Sequence, residues 1–93
     1  MNAIWFKEYA IDYLEGLRNA NMGEHIGIQF TELGADYLKG RMPVDKRTTQ
    51  PFGILHGGAS CVLSETLGSV AGWMTIDPEK YRAVGLELNI NHI

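Results

Sequence analysis

The chain has 93 residues, a net charge of −3, 45% hydrophobic and 20% charged residues, the profile of one small globular domain with a modest core. Its nearest approach to a basic cluster is Lys46-Arg47, which argues against a nucleic-acid-binding surface, and no apolar run reaches the roughly 20 residues of a membrane span. The single Cys61 forbids an intrachain disulfide and reads as a small buried apolar residue, and with no signal-peptide core a cytoplasmic location is expected.

Residues 7–19 place Ile11, Leu14 and Leu17 at helical spacing, which predicts an amphipathic helix that packs on the core and can form part of a pocket wall. Residues 26–33 alternate Ile26, Ile28 and Phe30 with Gly27, Gln29 and Thr31, a strand pattern. "GAD" supplies a turn, and alternation resumes in "YLKGRMPV" until Pro43, so an antiparallel hairpin is expected. Residues 45–58, broken by Pro51 and Gly53, read as loop. From Gly58 to about Met74, Val62, Leu63, Leu67, Val70 and Met74 recur at helical spacing. A turn follows at 77–80. Residues 83–93 then alternate Val84, Leu86, Leu88 and Ile90 with polar or small neighbours, the strongest strand pattern in the chain.

The second helix has one charge, Glu65. A helix so apolar is expected to be covered on most sides, and its small residues (Ala59, Ser60, Ser64, Gly68, Ala71, Gly72) permit close approach of another backbone. A glutamate there could sit at the one exposed point. In apolar surroundings it suits proton transfer near neutral pH. Ser69 lies one turn further on the same face. At the other end Gln50, His56, Gly57 and Gly58 lead into the helix, whose first amides lack intrahelical acceptors and favour developing negative charge. The pair Gly57-Gly58 could equally be a tight turn, and His56 could satisfy loop carbonyls. Gly57 and Glu65 are eight residues apart, about 12 Å along a helix. One carbonyl group cannot touch both, so a shared site requires two chains across a twofold axis.

The pattern G-x-x-H-G-G-A-S-x-x-L-x-E-x-x-G-S, from Gly53 through Ser69, resembles the active-site signature of hotdog-fold acyl-CoA thioesterases. With "MPVDKRTTQPFGILHGGAS" and "VGLELNINHI" beside it, the chain is most similar to the subgroup acting on aromatic acyl-CoA thioesters, such as 1,4-dihydroxy-2-naphthoyl-CoA of menaquinone synthesis. The resemblance implies an α+β fold in which a long central helix is wrapped by a curved antiparallel sheet. The single domain over 1–93 would be an N-terminal portion of it, lacking later strands. It further implies a homodimer, often paired into a homotetramer, an acyl-CoA substrate, and no cofactor, CoA being part of the substrate. Glu65 would be the catalytic carboxylate, as general base or nucleophile, and the Gly57 amide of the opposite chain would polarise the carbonyl. Gln50 and His56 would shape that end, Ser69 would assist the carboxylate, and Gly58, His92, Asn89 and Asn91 would border the substrate.

Two other functions fit less well. A hotdog 3-hydroxyacyl dehydratase needs a histidine base in the preceding loop, and none stands between Asp45 and Leu55. A non-catalytic acyl-CoA or acyl-carrier binding module, or an inactive truncated relative, would use the same pocket without turnover. His25, His56 and His92 lack metal-ligand spacing, so no metal site is expected.

Overall fold

The computed structural model describes residues 2–92. In chain order they form α1 (Ile11–Leu17), α2 (Met22–His25), β1 (Gln29–Leu33), β2 (Leu38–Arg41) and α3 (Gly57–Met74). The architecture is α+β. β1 and β2 make an antiparallel hairpin that pairs Gln29 with Arg41, Phe30 with Gly40, Glu32 with Lys39 and Leu33 with Leu38. The register jumps between Phe30 and Glu32, leaving Thr31 as the extra residue of a bulge.

The first helix is shorter than its pattern suggests. Its expected first turn follows a strap that is engaged elsewhere: Ile4 N–H donates to Ala35 O at 2.9 Å, Trp5 Nε1 to Gly34 O at 2.8 Å, and Phe6 N–H to Met74 O at 2.8 Å. The strap thus ties the N-terminal residues to the hairpin turn and to the end of α3. After α1, Ala20 takes φ 60°, a left-handed conformation that costs a residue with a Cβ. This sharp turn starts α2, capped by Asn21, whose side chain accepts from Gly23 N–H at 3.0 Å as an N-cap should.

Leu14, Phe30 and Met74 form the buried centre, with Trp5, Leu33, Leu38, Leu67, Val70 and Trp73 packed around it. α1 lies against β1 and α3 against β2. The closest approach is at Gly40, where a Cβ would fall 2.8 Å from Leu67 Cδ2. A side chain there would have to displace the Leu67 methyl and crowd Gln29 O.

Two expectations are corrected. α3 is not enclosed: Met74 is its one fully buried residue among the described residues, because a two-stranded hairpin covers only one side. Residues 83–92 form no strand. They run back along α3, with Ala83 beside Gly72, Gly85 against Glu65 and His92 against Gly57. A strand exists only through a ladder with a neighbour, and no such neighbour stands beside this segment among the described residues. The turn at 77–80 is as expected, with Lys80 N–H donating to Asp77 O at 3.1 Å.

Candidate active site

The loop before α3 is a closed structure that delivers His56 to the helix start. Thr48, buried in the loop, donates from Oγ1 to Pro43 O at 2.6 Å and accepts from Asp45 N–H at 3.1 Å. Thr49 and Leu55 form an antiparallel bridge. Between them Gln50 N–H donates to Ile54 O at 2.8 Å, and Gly53, at φ 84°, turns the chain. The Gln50 side-chain oxygen accepts from Phe52 N–H, so it folds onto its own loop. His56 N–H then donates to Thr48 O at 2.8 Å.

His56 is the N-cap of α3. Its Nδ1 accepts from Gly58 N–H at 2.8 Å, which requires a lone pair on that nitrogen and places the ring proton on Nε2. The Gly58 amide is therefore spent on the cap. The Gly57 N–H, one residue earlier, meets no acceptor among the described residues. The cap thus leaves one donor open at the positive end of an 18-residue helix, the arrangement that stabilises an anion. The His92 ring lies beside Gly57: a Cβ there would fall 3.2 Å from His92 Cε1.

Two turns further on, Glu65 is half-buried, and Ser69 Oγ donates to its Oε1 at 3.2 Å. The carboxylate lies directly against the backbone of Gly85, where a side chain would have to displace it. α3 is unbroken from Gly57 to Met74, so eight residues of helix, about 12 Å of rise, separate the open amide from the carboxylate. Asn89 and Asn91 are exposed, and Asn89 Nδ2 donates to Glu87 Oε1 at 3.0 Å.

Glu65 and Ser69 open onto a cleft of about 340 Å³ whose other walls include Leu17, Arg18, Met22 and Phe30. Its far wall comes from the α1–α2 corner, as a pocket-wall role for the first helix requires. Glu15 holds that corner to the hairpin. One of its carboxylate oxygens accepts from Phe30 N–H and the other from Arg18 Nε at 3.0 Å. Arg18, Met22 and Phe30 carry no motif and cannot be found as site residues from sequence. A larger hollow of about 830 Å³ lies under the N-terminal strap between Trp5, Tyr9 and Leu33; it contains none of the residues singled out by the motif. Among the described residues no three His, Cys, Asp or Glu side chains come together to hold a metal, and no helix is long and apolar enough to cross a membrane.

The profile of the Thioesterase superfamily matches residues 52–93, the part that begins just before the cap and includes all of α3. The chain is 47% identical over 90 residues to a 1,4-dihydroxy-2-naphthoyl-CoA hydrolase of Escherichia coli (97% of this chain, 65% of the relative). It is 46% identical over 89 residues to the proofreading thioesterase EntH of Cronobacter turicensis (96% and 64%). Among solved structures, a mutant thioesterase from Pseudomonas aeruginosa superposes with a TM-score of 0.94 at 42% identity, covering 98% of this chain and 66% of that one. A thioesterase from Haemophilus influenzae gives 0.91 at 42% identity, covering 97% and 62%. The chain therefore spans just under two thirds of the length of these relatives, and the fold is the hotdog fold of such enzymes.

Proposed function

We propose that the protein, like the thioesterases it resembles, hydrolyses an acyl-CoA thioester with an aromatic acyl group to the free acid and CoA. The observation that carries this reading is the division of α3 into an open Gly57 amide and a Glu65 carboxylate, joined by one rigid helix. The amide is the donor for a thioester carbonyl whose oxygen gains charge as the carbon is attacked. Glu65 takes the proton from water as the new C–O bond forms, and that proton reaches the CoA thiolate as the C–S bond breaks. Alternatively Glu65 attacks the carbon itself and the C–S bond breaks; water then cleaves the mixed anhydride, giving the free acid, the restored carboxylate and the proton of the CoA thiol.

From the separation of about 12 Å we infer that the two groups of one site come from two copies of the chain, in a homodimer that can pair further. Two observations support the second copy. α3 is open on the face that carries Gly68, where nothing lies within 4 Å of a Cβ position. Large apolar side chains of the following segment, Val84 and Leu86, are 85% and 99% exposed, far more than an isolated domain ordinarily leaves. The naphthoyl-CoA hydrolase among the relatives makes an aryl thioester the first substrate to try.

Thiol release from benzoyl-CoA and naphthoyl-CoA tests the role of Glu65. Glu65→Ala is expected to lower turnover by about 10²–10⁴-fold, the range for a positioned acid–base group, with the oligomer intact. Turnover within threefold of the parent would remove Glu65 from the mechanism.

A further inference from the structure

We propose that Arg18 is a specificity-determining residue of the acyl site, selecting acyl groups whose far edge carries a hydrogen-bond acceptor, a hydroxyl or a carboxylate. The inference rests on the reading that the thioester carbonyl is processed at Glu65. Two charged residues line the Glu65 cleft, Glu65 on α3 and Arg18 on the opposite wall. The surface between them is largely apolar, with Leu17, Met22, Phe30 and Val70 contributing, a chemistry suited to an aromatic ring. Two opposite charges on one small cleft would ordinarily pair. Here they do not, and the reason is Glu15.

Glu15 takes Arg18 Nε at 3.0 Å on one oxygen and the Phe30 amide on the other. This holds the guanidinium on the far wall while its Nη1 and Nη2 groups meet no acceptor among the described residues. The Arg18 side chain is 24% exposed, and its unpaired donors are not buried, so a ligand seated against them displaces the water they hold. An acyl group with an acceptor on its distal edge would fill them with charge-assisted hydrogen bonds. An unsubstituted ring would press apolar edge against an unfilled fork, the situation in which a built polar site rejects its apolar analogue.

The experiment measures two quantities on parent, Arg18→Met and Arg18→Lys proteins. One is kcat/KM for benzoyl-CoA and its hydroxy- and carboxy-substituted forms. The other is the affinity for thioether analogues of the same compounds, which bind without turnover. The expected result is that the parent prefers substituted over unsubstituted ligands in both measurements. Arg18→Met then lowers that preference about tenfold, and Arg18→Lys restores part of it. A general structural role for Arg18 would lower all ligands alike, leaving the ratio unchanged. A ratio within twofold of the parent in Arg18→Met, or no preference in the parent, overturns the proposal; if Arg18→Met fails to fold, Arg18→Leu takes its place under the same criterion. A parent that binds the substituted analogues preferentially but releases no thiol contradicts the hydrolysis reading and leaves the role of Arg18 standing.

Discussion

The two sides of α3 are built on different terms. On the side facing the hairpin, Leu67, Val70 and Met74 join Leu14 and Phe30 in the core, and Gly40 lets the strand approach. On the other side Gly68 faces open space, and residues 83–92 lie along the helix with no ladder to hold them. One side is complete within the chain; the other is covered only in part, by residues 83–92. The difference teaches that a helix with a single charge does not by itself imply burial in its own chain. Its further cover can come from a second copy, which is the arrangement proposed above for catalysis.

Substitutions on the two sides should therefore move stability in opposite directions. Met74→Ala opens a cavity at a fully buried position and is expected to cost about 2–5 kcal/mol, measured by denaturant unfolding of the chain. Gly68→Ala meets nothing and should raise helix stability by about 1 kcal/mol. A loss of stability in Gly68→Ala would show that this face is already covered in solution by another copy. The sharpest version of the comparison measures Gly68→Ala at rising protein concentration, where association would turn the gain into a loss.

The smallest effect lies in the loop that presents the cap. Asp45 is held well below the usual carboxylate range, at about 2, chiefly by its side-chain hydrogen bonds with Arg47. The carboxylate is easier to ionise in the folded than in the unfolded chain, whose Asp titrates near 3.8. The stability it contributes is therefore present above about pH 4 and is lost as pH falls toward 2. Thermal melts across that window should show a shallower acid loss in Asp45→Asn than in the parent. Identical slopes would mean that the exposed pair, being open to solvent screening, adds nothing measurable.

The hairpin and α3 were legible in the sequence because local period decides them: Ile28 and Phe30 face inward two apart, and Leu67, Val70 and Met74 recur at helical spacing. The segment at 83–92 has the best strand pattern in the chain and forms no strand, since alternation describes which faces a residue would show and a ladder needs a neighbour. The first helix lost its expected first turn to the strap at Ile4–Phe6, a contact between residues some 30 to 70 positions apart in sequence that no local pattern announces. At the site, Glu65, Ser69, His56 and Gly57 stand out by motif. The cap's choice of the Gly58 amide, leaving the Gly57 amide open, depends on the exact fold of the Thr48–His56 turn. Arg18 and Met22 reach the cleft only because Ala20 adopts a positive φ, and an alanine gives no hint of it.

The central claim, that one site takes its amide and its carboxylate from two copies, is open to a direct test by complementation. Gly57 is the first residue of α3, a position that tolerates proline, and His56 before it already has the extended conformation (φ −71°, ψ 125°) that proline demands. Gly57→Pro thus removes the open N–H while leaving the helix start in place. Each of Gly57→Pro and Glu65→Ala should release little thiol alone. Mixed after unfolding and refolding together, half of the dimers would be hybrids with one intact site of two, recovering about a quarter of the parent activity. No recovery in a mixture shown to form hybrids would place both groups in one chain and contradict the account.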